Sequence, residues 1–502
     1  MKTNTLDFDA KALREKILNL AIRGKLVKQD SNDEPATVLL EKIKLEKQKL
    51  IKEKKIRKGK SLKAITSKEK PFDIPDSWEW VRFGEIVQFS LGKTPSRGMT
   101  EYWDNGTIPW VSIGDIKNEK YLKETKEKIS ESALEDKFKN ELVPVNTLLM
   151  SFKLSIGKVC ILKVPAVHNE AIISIHPFIN TNYITRDYLY YVLPLISNMG
   201  EFTPAIKGKT LNKTLLQELK IPLPPLEEQS RIAAKIAQLF ALLRKVEYST
   251  QQYAKLQTLL KSKVLDLAMC GKLVEQDPND EAASVLLEKI KAEKEQLIKE
   301  KKIKKSKTLP PISDEEKLFE IPDSWEWVRL GDLTKKVGAG NTPKGGSKSD
   351  VYVTEGIKFI REMNVYNDGL HLKGITYIRP KLAEKRTGSA VIAKDILLNI
   401  TGGSLGRSAL MSDDFDLGNV NQHVLIIRNV DSKVRYFMHL FLISSLAQKS
   451  IHNKSVGDKA GFSATKTKEL LMPFPPIKEQ KRIAKKVEEV FRIISEGYID
   501  RK

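Results

Sequence analysis

LNLAIRGKLVKQDSNDEPATVLLEKIKLEKQKLIKEKKIRK, residues 18–58, returns as LDLAMCGKLVEQDPNDEAASVLLEKIKAEKEQLIKEKKIKK, residues 265–305, at an offset of 247. The same offset carries FDIPDSWEWVRFGEI (72–86) onto FEIPDSWEWVRLGDL (319–333). IPLPPLEEQSRIAAKI (221–236) returns as MPFPPIKEQKRIAKKV (472–487), now at an offset of 251. Matches of this length do not arise by chance, so the chain is a tandem duplication. Between the matching frames lie two segments, about 87–220 and 334–471, that align poorly. Sparse landmarks survive in them: GKTP at 92–95 against GNTP at 340–343, and SIGK at 155–158 against SLGR at 404–407. A constant frame with divergent inserts points to two modules of one architecture with two binding preferences.

Residues 227–270 contain no Gly or Pro and stop at Gly271, a residue suited to the position just past a helix end. Apolar residues step by four and three through Ile232, Ile236, Leu239, Leu243 and Val246, then Tyr253, Leu260, Val264 and Leu267. Thr250 and Gln257 interrupt the heptad. This predicts one helix, roughly 65 Å long, packed along its length against another. Its copy is cut in two. The first half matches the C-terminal segment, through Ile483, Val487, Val490 and Ile494; the second matches the N-terminal segment, through Ala10, Leu13, Ile17 and Leu20. Residue 502 maps onto 251 and residue 1 onto 248, so the chain ends are expected to meet. The expected architecture is a closed, pseudo-two-fold ring in which long antiparallel coiled-coil helices separate two modules.

Each insert mixes short strands with a helix. Segments 147–152, 158–164 and 171–178 read as strands and 186–198 as a helix; 395–400, 408–412 and 424–430 read as strands and 434–449 as a helix. The fold class is therefore α/β (α+β) with mixed sheets, in two copies. The segments are 1–70 (half of the split helix plus a basic helix), 71–225 (first module), 226–318 (helical spacer), 319–476 (second module) and 477–502 (the helix completing the split one).

The 502 residues carry 86 Lys and Arg against 64 Asp and Glu, a net charge of +22. Such a surplus points to a polyanionic partner. Much of it sits on the scaffold: 41–63 hold eleven Lys/Arg and three Glu, and 288–307 hold nine and four, both read as basic helices. No stretch is apolar enough to span a membrane, and the N-terminus lacks the apolar core of a secretory signal. Cys160 and Cys270 are the only cysteines, which excludes a disulfide framework or a cysteine zinc site and fits a cytoplasmic location.

Catalytic signatures are missing. A phosphate-binding loop needs a glycine five residues before Gly-Lys-Ser/Thr, and Val87, Thr203 and Lys54 stand there instead. The Pro-Pro pairs lack the Asn/Asp and aromatic neighbours of an amino-methylating site. Pro75-Asp76 and Pro322-Asp323 lack the lysine of a nuclease cluster. His168, His176, His371, His423, His439 and His452 never fall at metal-ligand spacing, although His423 is a candidate DNA contact. No catalytic or metal residue is assigned.

Two variable modules, each opened by IPDSWEW-V-R-(F/L)-G, closed by P-(L/F)-P-P-(L/I)-x-E-Q-x-R-I-A and flanked by GKLVxQDxNDExAxxLLEKI, resemble the specificity subunit of type I restriction–modification systems over essentially the whole chain. The resemblance implies two target-recognition domains, each reading half of a bipartite, asymmetric site in double-stranded DNA, with the helices as a ruler. It implies two methyltransferase subunits using S-adenosylmethionine and restriction/translocase subunits using ATP and Mg, with no cofactor bound by this chain. The alternatives are a specificity subunit serving a fused methylase-nuclease partner, and a self-contained DNA-modifying enzyme, which the missing motifs disfavour.

Base edges are read by polar side chains presented from loops. The candidates in the first module are Lys93, Thr94, Ser96, Arg97, Lys153, Ser155, Lys158 and Asn169. Those in the second are Asn341, Thr342, Lys344, Lys348, Arg361, Asn364, Asn399, Arg407, Asn421 and Gln422.

Overall fold

The structure, a computed structural model, describes residues 9–59, 61–117, 119–199, 203–205, 208–343, 351–453, 455 and 461–496. The chain divides into two compact units, Asp7–Thr250 and Gln251–Lys502, called here the first and second unit. The division falls inside a single 44-residue helix, Leu226–Met269.

Each unit is closed by the same two-stranded ribbon. Glu79–Arg82 pairs antiparallel with Lys220–Leu223, placing Trp80 opposite Pro222. Glu326–Arg329 pairs with Leu471–Phe474, placing Trp327 opposite Pro473. The two conserved motifs of each frame are thus hydrogen-bonded partners, and the insert between them leaves and returns at one point. This is why inserts can diverge while the frame is kept.

In the first unit the insert builds a five-stranded sheet in the order Val87–Leu91, Ile172–Pro177, Leu148–Ser151, Val159–Leu162, Tyr121–Leu122. Only the last pairing is parallel. A three-stranded sheet, Glu127–Ile129, Ile108–Val111, Val167–His168, is also mixed. In the second unit a four-stranded antiparallel sheet runs Thr334–Ala339, Val424–Asn429, Ile396–Asn399, Ser408–Leu410. A five-stranded sheet joins Ile357–Ile360 in parallel to Gly418–Val420. The strands expected at 147–152, 158–164, 171–178, 395–400, 408–412 and 424–430 all form, with ends shifted by one or two residues.

The expected helix over 434–449 is two helices, Arg435–Ile443 and Ser445–Asn453. Ser444 breaks it with ψ 157°, and its hydroxyl bonds the Phe441 carbonyl at 2.6 Å. The expected basic helices also stop early, at Lys52 and Lys299. Lys54 and Lys301 take positive φ (56° and 55°), and the chain then leaves the helix. The Lys63 carbonyl accepts from Arg82 Nε at 2.6 Å, and the carbonyls of Pro310 and Pro311 accept from Arg329. The chain beyond each basic helix is therefore a strap, tied to the ribbon at Lys63 in the first unit and at Pro310 and Pro311 in the second.

Helix Ala10–Ile22 packs on the first half of the long helix in the first unit. Arg14 bonds Glu247 at 2.9 Å, and its guanidinium lies 6.0 Å from the Phe240 ring centre. In the second unit Ile477–Glu496 packs on the other half, with Lys261 5.5 Å from the Phe491 ring centre. Arg14 and Lys261 are repeat equivalents, as are Phe240 and Phe491, so one cation–aromatic contact recurs in both units. Burial along the apolar stripe is uneven. Ile232, Ile236 and Leu243 are buried, Leu239, Val264 and Leu267 are half-buried, and Val246, Tyr253 and Leu260 are exposed. Continuous packing along its length, as the heptad predicts, is not seen among the described residues. The chain ends, at 1–8 and 497–502, lie outside them.

Both helix-to-turn junctions close in the same way. Lys25 N–H bonds the Leu20 carbonyl and Lys272 N–H that of Leu267, each at 2.9 Å, with Gly24 and Gly271 at φ 66° and 68°. This is the glycine-terminated stop expected at Gly271. A Cβ on Gly24 would stand 2.3 Å from Pro75 Cγ, and one on Gly271 2.5 Å from Pro322 Cγ. Among the described residues no helix is long and apolar enough to cross a membrane.

Candidate nucleic-acid interface

Three loops converge in the first unit. Gly92 N–H bonds the Ile172 carbonyl and Lys93 N–H that of His168 at 2.9 Å, pressing loop 92–97 onto 168–171. A Cβ at Gly92 would lie 2.0 Å from the His168 carbonyl oxygen, so only glycine allows this approach. Phe152 N–H bonds the Ala171 carbonyl at 2.9 Å, which brings in loop 152–158. The second unit repeats the construction. Gly340 N–H bonds the Val424 carbonyl, its would-be Cβ stands 1.9 Å from the Val420 oxygen, and Ile400 N–H bonds the His423 carbonyl at 3.0 Å. Loops 340–343, 400–407 and 420–423 thereby meet. The 361–364 loop joins them through Asn421 N–H on the Ile360 carbonyl.

The GKTP/GNTP and SIGK/SLGR landmarks fall in these loops, and glycine is their common requirement. Gly157 and Gly406 take φ 82° and 85°, with no room for a Cβ beside Ser197 Oγ or Gln448 Oε1.

In the first unit Thr94 donates its hydroxyl to Glu170 Oε2. Lys93 Nζ donates to the Lys137 carbonyl at 2.6 Å, and the Ser96 carbonyl accepts from Trp103 Nε1. Arg97 pairs with both oxygens of Glu127, and its guanidinium lies 3.8 Å from the Trp103 ring centre. That hydrogen bond raises the Arg97 pKa and lowers that of Glu127. Lys153 lies over the Phe152 ring. Ser155 and Lys158 are exposed, their backbones tied to Ser151 Oγ. Asn169 Oδ1 accepts from Ala171 N–H, so this side chain shapes the loop.

In the second unit several candidates turn inward. Asn364 is fully buried, accepting from Arg361 N–H and donating to the His371 carbonyl at 2.9 Å. Asn399, also fully buried, donates to the Glu362 carbonyl at 2.8 Å. Asn421, 5% exposed, donates to Glu362 Oε2 at 2.7 Å. These three amides hold the 361–364 loop against its neighbours instead of facing outward, which corrects their expected role. Arg361 donates to the Gly374 carbonyl at 2.8 Å, and the Asn341 carbonyl accepts from Arg386. Thr342 donates to Gln422 Oε1. Arg407 lies 4.7 Å from the ring centre of Tyr366, which stacks on His371 at 4.1 Å. Lys344 and Lys348 lie outside the described residues.

Glu170, Tyr366 and His371 also stand in or beside these loops and are not among the candidates that loop polarity picks out. Glu170 aligns with Gln422 of the second unit, which is such a candidate. His423 stands between Thr401 Oγ1 (2.7 Å from Nδ1) and Gln422 Nε2 (3.0 Å from Nε2). His168 is buried, and burial pushes its pKa down to about 4, so it stays neutral under the loop. Burial likewise lifts the Cys160 thiol to about 12. Among the described residues no group of His, Cys, Asp and Glu is arranged to hold a metal ion.

The first cluster thus presents exposed Lys93, Arg97 and Lys158, and the second exposed Asn341 and Gln422 with half-buried Arg361 and Arg407, from loops braced on a sheet, which suits phosphate contact and base reading. The family described as "Type I restriction modification DNA specificity domain" matches residues 75–256 and 322–500. The specificity subunit of the type I restriction enzyme EcoAI from Escherichia coli is 30% identical, over 97% of this chain and 89% of that one. That of EcoEI, also from Escherichia coli, is 35% identical over 67% of this chain and 64% of that one. A chain in a structure concerned with assembly and conformational transition of the type I R-M system superposes with a TM-score of 0.55 at 16% identity, covering 85% of this chain and 93% of that one, and so shares the fold. The chain belongs to the type I restriction–modification DNA specificity subunits.

Proposed function

We propose that each unit's loop cluster reads one half of a bipartite, asymmetric site in double-stranded DNA, and that the chain carries methyltransferase and restriction subunits to that site. One observation carries this reading. The two units build the same loop junction on near-identical frames, yet expose different side chains from it. Selection for two targets on one scaffold produces that pattern.

In this reading the target-recognition domains are 71–225 and 319–476, and 1–70, 226–318 and 477–502 are scaffold. The candidates left exposed are Lys93, Thr94, Ser96, Arg97, Ser155, Lys158, Asn341, Thr342 and Gln422, with Lys153, Asn169, Arg361 and Arg407 half-buried. The long helix and its two partner helices form an antiparallel coiled coil about a pseudo-two-fold axis and set the spacer between half-sites. The register of Arg14 with Glu247 and of Gln257 with the Ile494 carbonyl supports this arrangement. The chain itself catalyses nothing. S-adenosylmethionine, ATP and Mg belong to the partners: two methyltransferase subunits and the restriction/translocase subunits.

Co-expression with the methyltransferase partner, followed by methylome sequencing, is expected to give one two-part motif. The purified chain alone, incubated with S-adenosylmethionine and DNA, is expected to transfer no methyl group. Methyl transfer by the chain alone would overturn the division of labour.

A further inference from the structure

Glu170 and Gln422 occupy one register in the two units. Each follows an asparagine whose side-chain oxygen accepts the next-but-one N–H at 3.1 Å, from Ala171 and His423 respectively. Each is exposed, and each accepts the hydroxyl of the equivalent threonine, Thr94 or Thr342. The task of anchoring that threonine needs no charge, because the Gln422 amide performs it. Glu170 nevertheless places a carboxylate among loops bearing Lys93, Lys153 and Lys158, on a face argued above to meet polyanionic DNA. A carboxylate there weakens phosphate attraction, so it needs a purpose that an amide does not serve.

Base edges supply one. With one oxygen engaged by Thr94, the carboxylate still offers acceptors and no donor. In the major groove cytosine presents an amino donor without an adjacent acceptor, whereas guanine, adenine and thymine all present acceptors that a carboxylate repels. Gln422 differs in the matching way. Its carbonyl takes the Thr342 hydroxyl and its amino group lies 3.0 Å from His423 Nε2, leaving, among the described residues, one acceptor position and one N–H free. That pair fits adenine, donor at N6 and acceptor at N7.

We infer that Glu170 and Gln422 are specificity-determining residues at equivalent positions of the two half-sites, Glu170 reading the amino group of a cytosine and Gln422 the N6/N7 edge of an adenine. The inference rests on the DNA-recognition reading above. Thr94 and Thr342 are positioning residues that hold the two side chains.

The test uses the whole chain in complex with its methyltransferase subunits, comparing the wild-type methylome with those of E170Q, E170A and Q422E. E170Q is expected to move one cytosine of the first half-site towards adenine, with discrimination at that base pair changed by about 10-fold or more. E170A is expected to relax the same position. Q422E is expected to move one adenine of the second half-site towards cytosine. In each variant the other half-site stays as in the wild type, which a folding defect would not allow. Where a variant complex fails to methylate, its binding to duplexes carrying each of the four base pairs at that position gives the same readout. Unchanged preference in E170Q, E170A and Q422E would overturn the inference while leaving the specificity-subunit reading intact. A wild-type complex without a two-part motif would overturn that reading itself.

Discussion

The indole N–H of Trp78 donates to Glu228 Oε2 at 2.8 Å, joining the IPDSWEW motif to the start of the long helix. Gln29 Nε2, from the turn after the first helix, holds the other oxygen at 2.6 Å. Trp325, Glu479 and Gln276 repeat the arrangement at 2.9 and 2.6 Å. Arg231 with Asp33, and Arg482 with Asp280, lie beside it as ion pairs. One carboxylate thus ties together motifs that the sequence shows only as separate blocks, and this explains why all of them are kept in both copies.

Removing that carboxylate leaves a buried indole N–H without a partner. E228A and E479A are each expected to destabilise the chain by about 1–3 kcal/mol. Urea unfolding of the purified chain measures this, and a loss below about 0.5 kcal/mol would show that the contact is incidental.

Gly24 and Gly271 combine positive φ with no space for a Cβ. G24A and G271A are each expected to cost about 2 kcal/mol or more, from backbone strain plus displacement of Pro75 or Pro322. Gly338 has neither constraint, since a Cβ there meets nothing within 4 Å. G338A is therefore the control, with a melting temperature expected to stay near that of the wild type.

Glu69 accepts from the Thr66 backbone and hydroxyl and from Arg82, and these bonds hold its pKa down to about 2. A carboxylate with a depressed folded-state pKa stabilises fully above its unfolded value of 4.5, and that stability is lost as pH falls towards 2. Unfolding midpoints recorded from pH 6 down to pH 3 are expected to fall less steeply in E69Q than in the wild type. Parallel curves would show that the strap carries no such linkage.

A four-residue insertion after Thr250 adds about one turn, roughly 6 Å, to the helix proposed as the ruler. At about 3.4 Å per base pair this corresponds to one or two base pairs. The methylome of the inserted variant, expressed with its methyltransferase subunits, is expected to keep both half-sites and lengthen the spacer. An unchanged spacer would remove the helix from that role.

How far the sequence reached depended on how local the physics was. The duplication, the long helix, its glycine stop and most strands follow from periodicity and spacing over a few residues, and all of these are present in the structure. The break within 434–449 is not legible in sequence because Ser444 is no breaker by type; its hydroxyl captures the Phe441 carbonyl in its buried setting. The basic helices are shorter than expected because Lys54 and Lys301 turn to positive φ, and the N–H groups of Lys55 and Lys302 close each helix on the Leu50 and Leu297 carbonyls.

The candidate interface divides along the same line. From sequence alone, the two frames, their divergent inserts and the loop landmarks identified a pair of recognition modules. Only the tertiary structure decided which loop side chains face outward. Asn364, Asn399 and Asn421 are polar side chains that local sequence leaves free to face solvent, yet each amide finds a partner on Glu362 or His371, 7 to 59 residues away. The register of Glu170 with Gln422, and the threonine each one holds, is likewise visible only in the folded loops. A side chain's exposure and hydrogen-bond partners are set by whatever the fold brings beside it, and nearby sequence does not encode that.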